Sequence, residues 1–524
     1  MNFMKKLFLS GSLALAIDIS TDFLPKQKKS LDSLVNSSFI SQNAYASGDG
    51  SDEPGFVPPP TTILPPPPSA QISSAETTVP YPGPPVTPQA RSEKKRPPQP
   101  PIILTKLKVG NDFKYWCATP NDINNLLKRI KQTINLDYSM EVKSLGQISS
   151  DPESNPILFL TGHYHFQFDD TQRDILRKYM LKGGTLILNT GLGSKPFCDS
   201  ARFELEKIFP EIPLRKLGTD HPVFGSYYDL QQPKYRKGAG RLGINLSQPN
   251  LEGITIDCRT PAFLSPVCMA VGFEENENED YPAYSSDYAQ KLGINMIYYA
   301  KTQRAWLRDF IEQMQFLDEN KSNAGKLAIA QIIYDGEWKT RHKGLSVLLN
   351  TFNQKTEIPV KYNIKEIRLT DKELPDSPLI YMTGHESFSF SQQEREALKI
   401  YIKNGGTLFA EACCGRKAFN ESFKREISIT FGDLRQIPLE NILFQNPNIV
   451  GQAEVTPALA SKTKKPLIRP ILLGIEKERR YPIIYSPAGL SGGWEFSPNP
   501  YSLGYNAVDA LNIGQNVLFY SLIK

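Results

Sequence analysis

The chain has 524 residues, with 60 basic and 55 acidic side chains and a formal net charge of +5. The basic clusters at 26–29 and 91–96 lie in the first hundred residues, and an acidic run fills 274–280, so no basic face is formed for nucleic acid. Six cysteines in a chain of this length exclude a disulfide scaffold.

From the start, Lys5 and Lys6 precede a short apolar run, LFLSGSLALAI over 7–17, which Asp18 stops. Such a run is too short to span a bilayer and suits the apolar region of a secretory signal. Residues 1–46 are therefore read as a targeting segment of an exported, periplasmic or extracellular protein. Its cleavage point is open between Ala14-Leu15-Ala16 and Ala44-Tyr45-Ala46. No later stretch has the character of a transmembrane span. Residues 47–106 form a linker, because 54–101 holds seventeen of the chain's 42 prolines and too few apolar residues to fold. It is expected to be a disordered, polyproline-like stalk reaching on the order of 150 Å if fully extended.

The rest is one passage written twice. PILFLTGHYHFQFDDTQRDILRKYMLKGGTLILNTGLGSKPF over 156–197 matches PLIYMTGHESFSFSQQEREALKIYIKNGGTLFAEACCGRKAF over 378–419. His163 pairs with His385, Gly184 with Gly406 and Trp116 with Trp338, always 222 residues apart. A repeat of this size means two whole domains, 107–305 and 325–524, rather than a solenoid. In the first, Asp169 and Gln172 form a capping box ahead of a helix ending at Gly183-Gly184. In the second, LAIAQIIY over 327–334 is a buried strand, followed by a helix from 343 to 353 carrying Leu345, Leu348, Leu349 and Phe352. PLIYMT is the next strand, Ser391 and Glu394 open a helix that stops at Gly405-Gly406, and TLFAEA over 407–412 is another strand. A further helix starts near Phe419. A β-rich segment, YPIIYSPAGLSGGWEF, and a closing helix complete the domain. This alternation predicts a doubly wound α/β sheet in each copy. Reuse of one surface in both copies would pack them as a pseudo-symmetric pair.

Ligands of such sheets bind beyond the carboxyl ends of the strands. Two loops arise there: Thr-Gly-His after the strand at 157–161 or 379–383, and the loop after GGTL. In the second copy the latter reads Glu411-Ala412-Cys413-Cys414-Gly415-Arg416, and a cysteine between a strand and a helix N-terminus occupies a nucleophile-elbow position. Cys413 with His385 is a candidate nucleophile and base, with Glu411 beside them; two small buried residues under a turn are the alternative. The first copy has Asn189, Gly191 and Leu192 instead, yet keeps Thr161-Gly162-His163, so the histidine does not require the thiol. Candidate ligand contacts are His163, His165, Asp220, His221, Arg259, Gly384, Cys414, Arg416 and Arg480. Trp116 and Trp338 would line a pocket or pack in the core. His163, His165, Asp169 and Asp170 lie close, but metal ligation needs about three converging groups and Asp169 is used as a cap, so neither metal nor cofactor is expected. Cys258 and Cys268 would bridge if their strands formed a hairpin, and two buried thiols fit equally.

Together, Thr-Gly-His with the following Phe-x-Phe, the YIKNGGTLFAEACCG segment, Asp-His-Pro-x-Phe and Tyr-Ser-Pro…Gly-Gly-Trp-Glu resemble the bacterial family labelled domain of unknown function 4159. That resemblance covers nearly all of the folded chain. It implies kinship with the class I glutamine amidotransferase-like superfamily and thus two tandem flavodoxin-like three-layer sandwiches with mostly parallel sheets. The family's acidic residue and cysteine at the elbow fall on Glu411 and Cys413, and its Asp-His-Pro on Asp220 and His221; each copy keeps only one of these features. The functional expectation is an exported, non-enzymatic binding module for a small polar ligand or an envelope protein partner. Alternatives are a cysteine-dependent hydrolase in the second copy and a structural envelope protein. Oligomeric state is not read from the sequence.

Overall fold

The computed structural model describes residues 104–311 and 327–523, except 111, 137, 342, 362, 363, 497 and 498. The expected targeting segment and almost all of the proline-rich linker lie outside the described residues. The first strand starts at Leu104, inside the stretch expected to be linker.

The first copy contains β1 (Leu104–Lys108), β2 (Met140–Ser144), β3 (Ile157–Gly162), β4 (Thr185–Thr190), β5 (Arg215–Lys216), β6 (Glu252–Ile256) and β7 (Arg259–Ser265). They form one sheet in the order β2-β1-β3-β4-β7-β6-β5. The first five in that order are parallel, and β6 and β5 extend the edge antiparallel. The second copy repeats this with β8 (Ile329–Ile333), β9 (Lys365–Arg368), β10 (Leu379–Gly384), β11 (Thr407–Ala412) and β12 (Arg435–Gln436), then, beyond a small hairpin of β13 (Ala453–Glu454) and β14 (Leu467–Ile468), β15 (Leu473–Lys477) and β16 (Arg480–Ser486). Its order, β9-β8-β10-β11-β16-β15-β12, is the same. Two mostly parallel α/β domains are thus present, with the parallel order 2-1-3-4-5 of flavodoxin-like sheets.

Strand sequence dictates the layering. Along β3, Ile157 and Phe159 enter one core with the helices Asp122–Ile134 and Ser286–Ile311, while Leu158 and Leu160 enter another with Asp170–Leu181 and Lys195–Ile208. Side chains alternate with period two, so a strand covered on both faces must be apolar throughout. Both capping boxes form, at Asp169 with Gln172 and at Ser391 with Glu394. The segment expected to be β-rich is a strand only to Ser486; Ser491–Trp494 is a short helix. None of the described helices is long and apolar enough to cross a membrane.

The copies do not reuse one patch. The β6–β7 turn, Asp257-Cys258, lies at the amino end of β7, yet its thiol meets residues at the carboxyl ends of β10 and β11. Amino edge therefore meets carboxyl edge, a head-to-tail contact in place of the pseudo-symmetric pairing expected from the duplication. Arg215 pairs with Glu386 at 2.9 Å, and Asn499 donates to the carbonyl of Cys258 at 2.9 Å. Asp220 of the first copy receives Arg416 at 3.2 Å and the backbone N–H of Ala418 at 3.3 Å. The helix Lys417–Phe431 has no side-chain cap of its own, so the other domain supplies its N-terminal acceptor.

Candidate functional site

In doubly wound sheets the crevice opens where strand order reverses, here between β8 and β10. Glu337 follows β8, His385 follows β10, and Cys413-Cys414 follow β11. His385 Nδ1 lies 2.9 Å from a Glu337 carboxylate oxygen, and Nε2 lies 3.3 Å from the sulfur of Cys258. Cys258 Sγ is 3.3 Å from Cys413 Sγ, which is 3.9 Å from Cys414 Sγ. The four ligand atoms of Cys258, His385, Cys413 and Cys414 all lie within 4.8 Å of one another, and all four residues are buried. Burial alone would depress the His385 imidazole, but Glu337 and the neighbouring sulfurs outweigh it and hold it well above the ordinary histidine range. Burial pushes the Cys258 thiol up, while hydrogen bonds from Cys258 and Cys413 draw Cys414 well down.

Beside this cluster a cavity of about 540 Å³ opens between the copies. Its wall includes Arg215, Lys216, Asp220 and His221 from the first copy and Glu337, Trp338, Glu386 and Arg416 from the second. Trp338 is thus a pocket-lining residue, whereas Trp116 is buried. Lys216 and Lys462, also on the wall, make no ion pair among the described residues.

Several expected site residues have structural work. Glu411 is fully buried, accepts Tyr381 Oη at 2.6 Å and the backbone N–H of Ser491 at 3.1 Å, and also accepts the N–H of Leu490. It anchors the turn after β16 rather than joining Cys413 and His385 in a relay. Asn189 does the same in the first copy, accepting from Met269 N–H at 2.7 Å. Arg259 donates to the carbonyls of Gly184 and Met180, and Arg480 to those of Gly406 and the hydroxyl of Thr407. Both arginines hold the chain at the Gly-Gly pairs that end the helices. Gly384 is required by packing: an added Cβ would lie 1.8 Å from Tyr334 Oη.

The histidines of the first copy are dispersed. His163 Nδ1 sits 3.0 Å from the carbonyl of Gly191, and His165 Nδ1 2.6 Å from Ser200 Oγ. His221 is buried; its Nδ1 accepts Val223 N–H at 3.1 Å and its Nε2 lies 2.9 Å from Thr260 Oγ1. Its ring lines the cavity, but its nitrogens are committed to the fold. Burial holds it neutral, well below the ordinary histidine range.

All six cysteines are free and buried. Cys258 and Cys268 do not bridge: the hairpin carries Cys258 to the second copy, while Cys268 packs near Asn189. Three residues of the cluster's surroundings were not among the expected ones: Cys258 as a partner of Cys413, Glu337 behind His385, and Arg341, which is buried, pairs with Glu495 at 3.3 Å and acts electrostatically on all three thiols. One signal was available, since none of the three cysteines has a counterpart: Arg479 stands for Cys258, and Gly191 and Leu192 for Cys413 and Cys414.

No curated protein matches the chain. Among solved structures, a putative phosphosugar isomerase from Silicibacter pomeroyi DSS-3 is similar at 9% identity, over 59% of this chain and 75% of that one, with a TM-score of 0.15. The model of the family described as domain of unknown function (DUF4159) matches residues 104–300 and again 328–522. The chain therefore belongs to that family, as two tandem copies.

Proposed function

We propose that this protein is an exported, non-enzymatic module that binds a small polar ligand in the cavity between its two copies. The observation that carries the reading is that one cavity of about 540 Å³ is walled by loops of both domains, a volume within the range of small-molecule sites. Lys216 and Lys462 on its wall favour an anionic group, because neither ammonium makes an ion pair among the described residues. The apolar run behind Lys5 and Lys6 supports export, and the sheet order with its acidic and cysteine elbow supports kinship with the class I glutamine amidotransferase-like superfamily.

Calorimetric titration of the full chain with inorganic phosphate, succinate and citrate tests the proposal. Saturable binding that K216E/K462E abolishes is expected. Identical titrations for parent and variant, or no heat with any of the three anions, would sink it.

A cysteine-dependent hydrolase in the second copy is the second reading, favoured by the Glu337–His385–thiol alignment. Against it stands Cys413, which has 0% exposure and is covered by Cys258, Cys414 and Ser491. A thiol nucleophile must be reachable by its substrate.

A further inference from the structure

We infer that Cys258, His385, Cys413 and Cys414 bind one Zn2+ ion and that this ion joins the two domains. Three sulfurs and one imidazole nitrogen are the donor set of a closed structural zinc site. A tetrahedral ion with arms of about 2.3 Å to sulfur sets neighbouring sulfurs roughly 3.8 Å apart. The separations of 3.3 Å for Cys258 to Cys413 and 3.9 Å for Cys413 to Cys414 bracket that edge. The ligand atoms already converge within one ion's coordination sphere, so little rearrangement is required.

Two further observations point the same way. Glu337 holds His385 Nδ1 at 2.9 Å, leaving Nε2 for the sulfurs; a carboxylate behind a ligating histidine is the usual way its tautomer and ring orientation are fixed. Arg341 is buried, with Nε and Nη2 unpartnered, and lies close enough to act electrostatically on all three cysteines. Three thiolates and Zn2+ carry a net charge of −1, and Arg341, whose Nη1 also pairs with Glu495 at 3.3 Å, lies where its charge attracts them. On binding, Zn2+ displaces the protons carried by the cysteine sulfurs and the Nε2 proton of the His385 imidazolium, all of which leave to solvent; no electron transfer is involved.

The ligand set spans the duplication. Cys258 sits in the β6–β7 turn of the first copy, at φ +63°, and the other three ligands follow strands of the second. The turn at the equivalent place in the second copy, Glu478-Arg479, has the same left-handed backbone but carries no thiol. A four-ligand protein site leaves no open position for hydrolytic chemistry, so the ion acts as a staple.

Elemental analysis of the purified full chain, as isolated and after reconstitution with Zn2+ and dialysis, should give one zinc per chain. Co2+ in its place should show the intense tetrahedral and sulfur-to-cobalt absorption of a thiolate-rich site. Zinc at or below a tenth of an equivalent in both preparations would overturn the proposal, as would an intact mass lower by two hydrogens with peptide mapping that places the disulfide among Cys258, Cys413 and Cys414. C258S changes one atom of a turn and should weaken Zn2+ binding more than E337Q, for which about 10- to 100-fold is expected from loss of the outer hydrogen bond. Parent-like affinity in C258S would remove the first domain from the site and overturn the staple.

Discussion

The carboxyl edges of the two sheets share a backbone and differ in what fills it. Leu192 and Cys414 both sit in the left-handed region, at φ +45° and +55°, within matching turns after β4 and β11. Asn189 and Glu411 both anchor the turn that follows the last strand. Two positions further on the copies diverge. In the first, Gly191 has no side chain, and a Cβ placed there would lie 2.7 Å from His163 Cε1. His163 folds into that vacancy and bonds the Gly191 carbonyl. In the second, Cys413 fills the space, and His385 is turned toward Glu337 and the sulfurs. One missing Cβ thus separates a histidine used in packing from one with a nitrogen available to a ligand.

The largest break in this comparison should come from the shared anchor. Glu411→Ala leaves Tyr381 Oη and the N–H groups of Leu490 and Ser491 without their acceptor in a buried site, an expected loss of about 3–5 kcal/mol in urea unfolding. Asn189→Ala should cost about 2 kcal/mol, because a neutral acceptor serving fewer donors is lost. Equal losses would show that the charge of Glu411 adds nothing.

Next in size is the domain contact. Asp220→Ala removes the carboxylate that accepts from Arg416 Nη2 and Ala418 N–H, leaving Arg416 only the backbone carbonyl at 220, and should cost about 1–3 kcal/mol, seen as earlier separation of the two domains by limited proteolysis. The corresponding Glu440 is exposed, so Glu440→Ala should stay within about 0.5 kcal/mol of the parent. If both variants behave alike, Asp220 is not the latch described above.

The smallest effect concerns pH. His221 is held neutral in the folded protein, its pKa depressed first by burial and then by Arg416 and His385. The unfolded chain therefore binds the extra proton below about pH 6.5, and stability must fall as pH drops through that range, by up to about 1.4 kcal/mol per unit. The second copy places Asn441 there, accepting Leu443 N–H at 3.0 Å in the same cap. His221→Asn should keep the cap and flatten that slope in thermal melts between pH 5 and 6.5. A slope unchanged by the substitution would mean that other groups set it.

Much of this architecture is local and was legible in the residues. The period-two apolar strands, the capping boxes at Asp169 and Ser391 and the Gly-Gly stops each depend on neighbours a few positions away, and their repetition marked two domains of one fold. The elbow turn and His385 were legible for the same reason. Arg259, Arg480 and Gly384 were expected as ligand contacts, and the structure shows them serving helix ends and close packing, roles that polar or small residues near strand ends share with ligand contacts. The partner of Cys413 was not legible. Cys258 lies 155 positions away, in a two-residue turn of the other domain, and no spacing rule links a Cys-Cys pair to it. The residues set two similar domains and their edges; which edge meets which was decided by the tertiary contact. That contact depends on complementarity between surfaces, with Asp220 against Arg416 and the Cys258 turn against the sulfur and imidazole cluster. Complementarity of that kind belongs to the folded faces together, and neither sequence copy carries it alone.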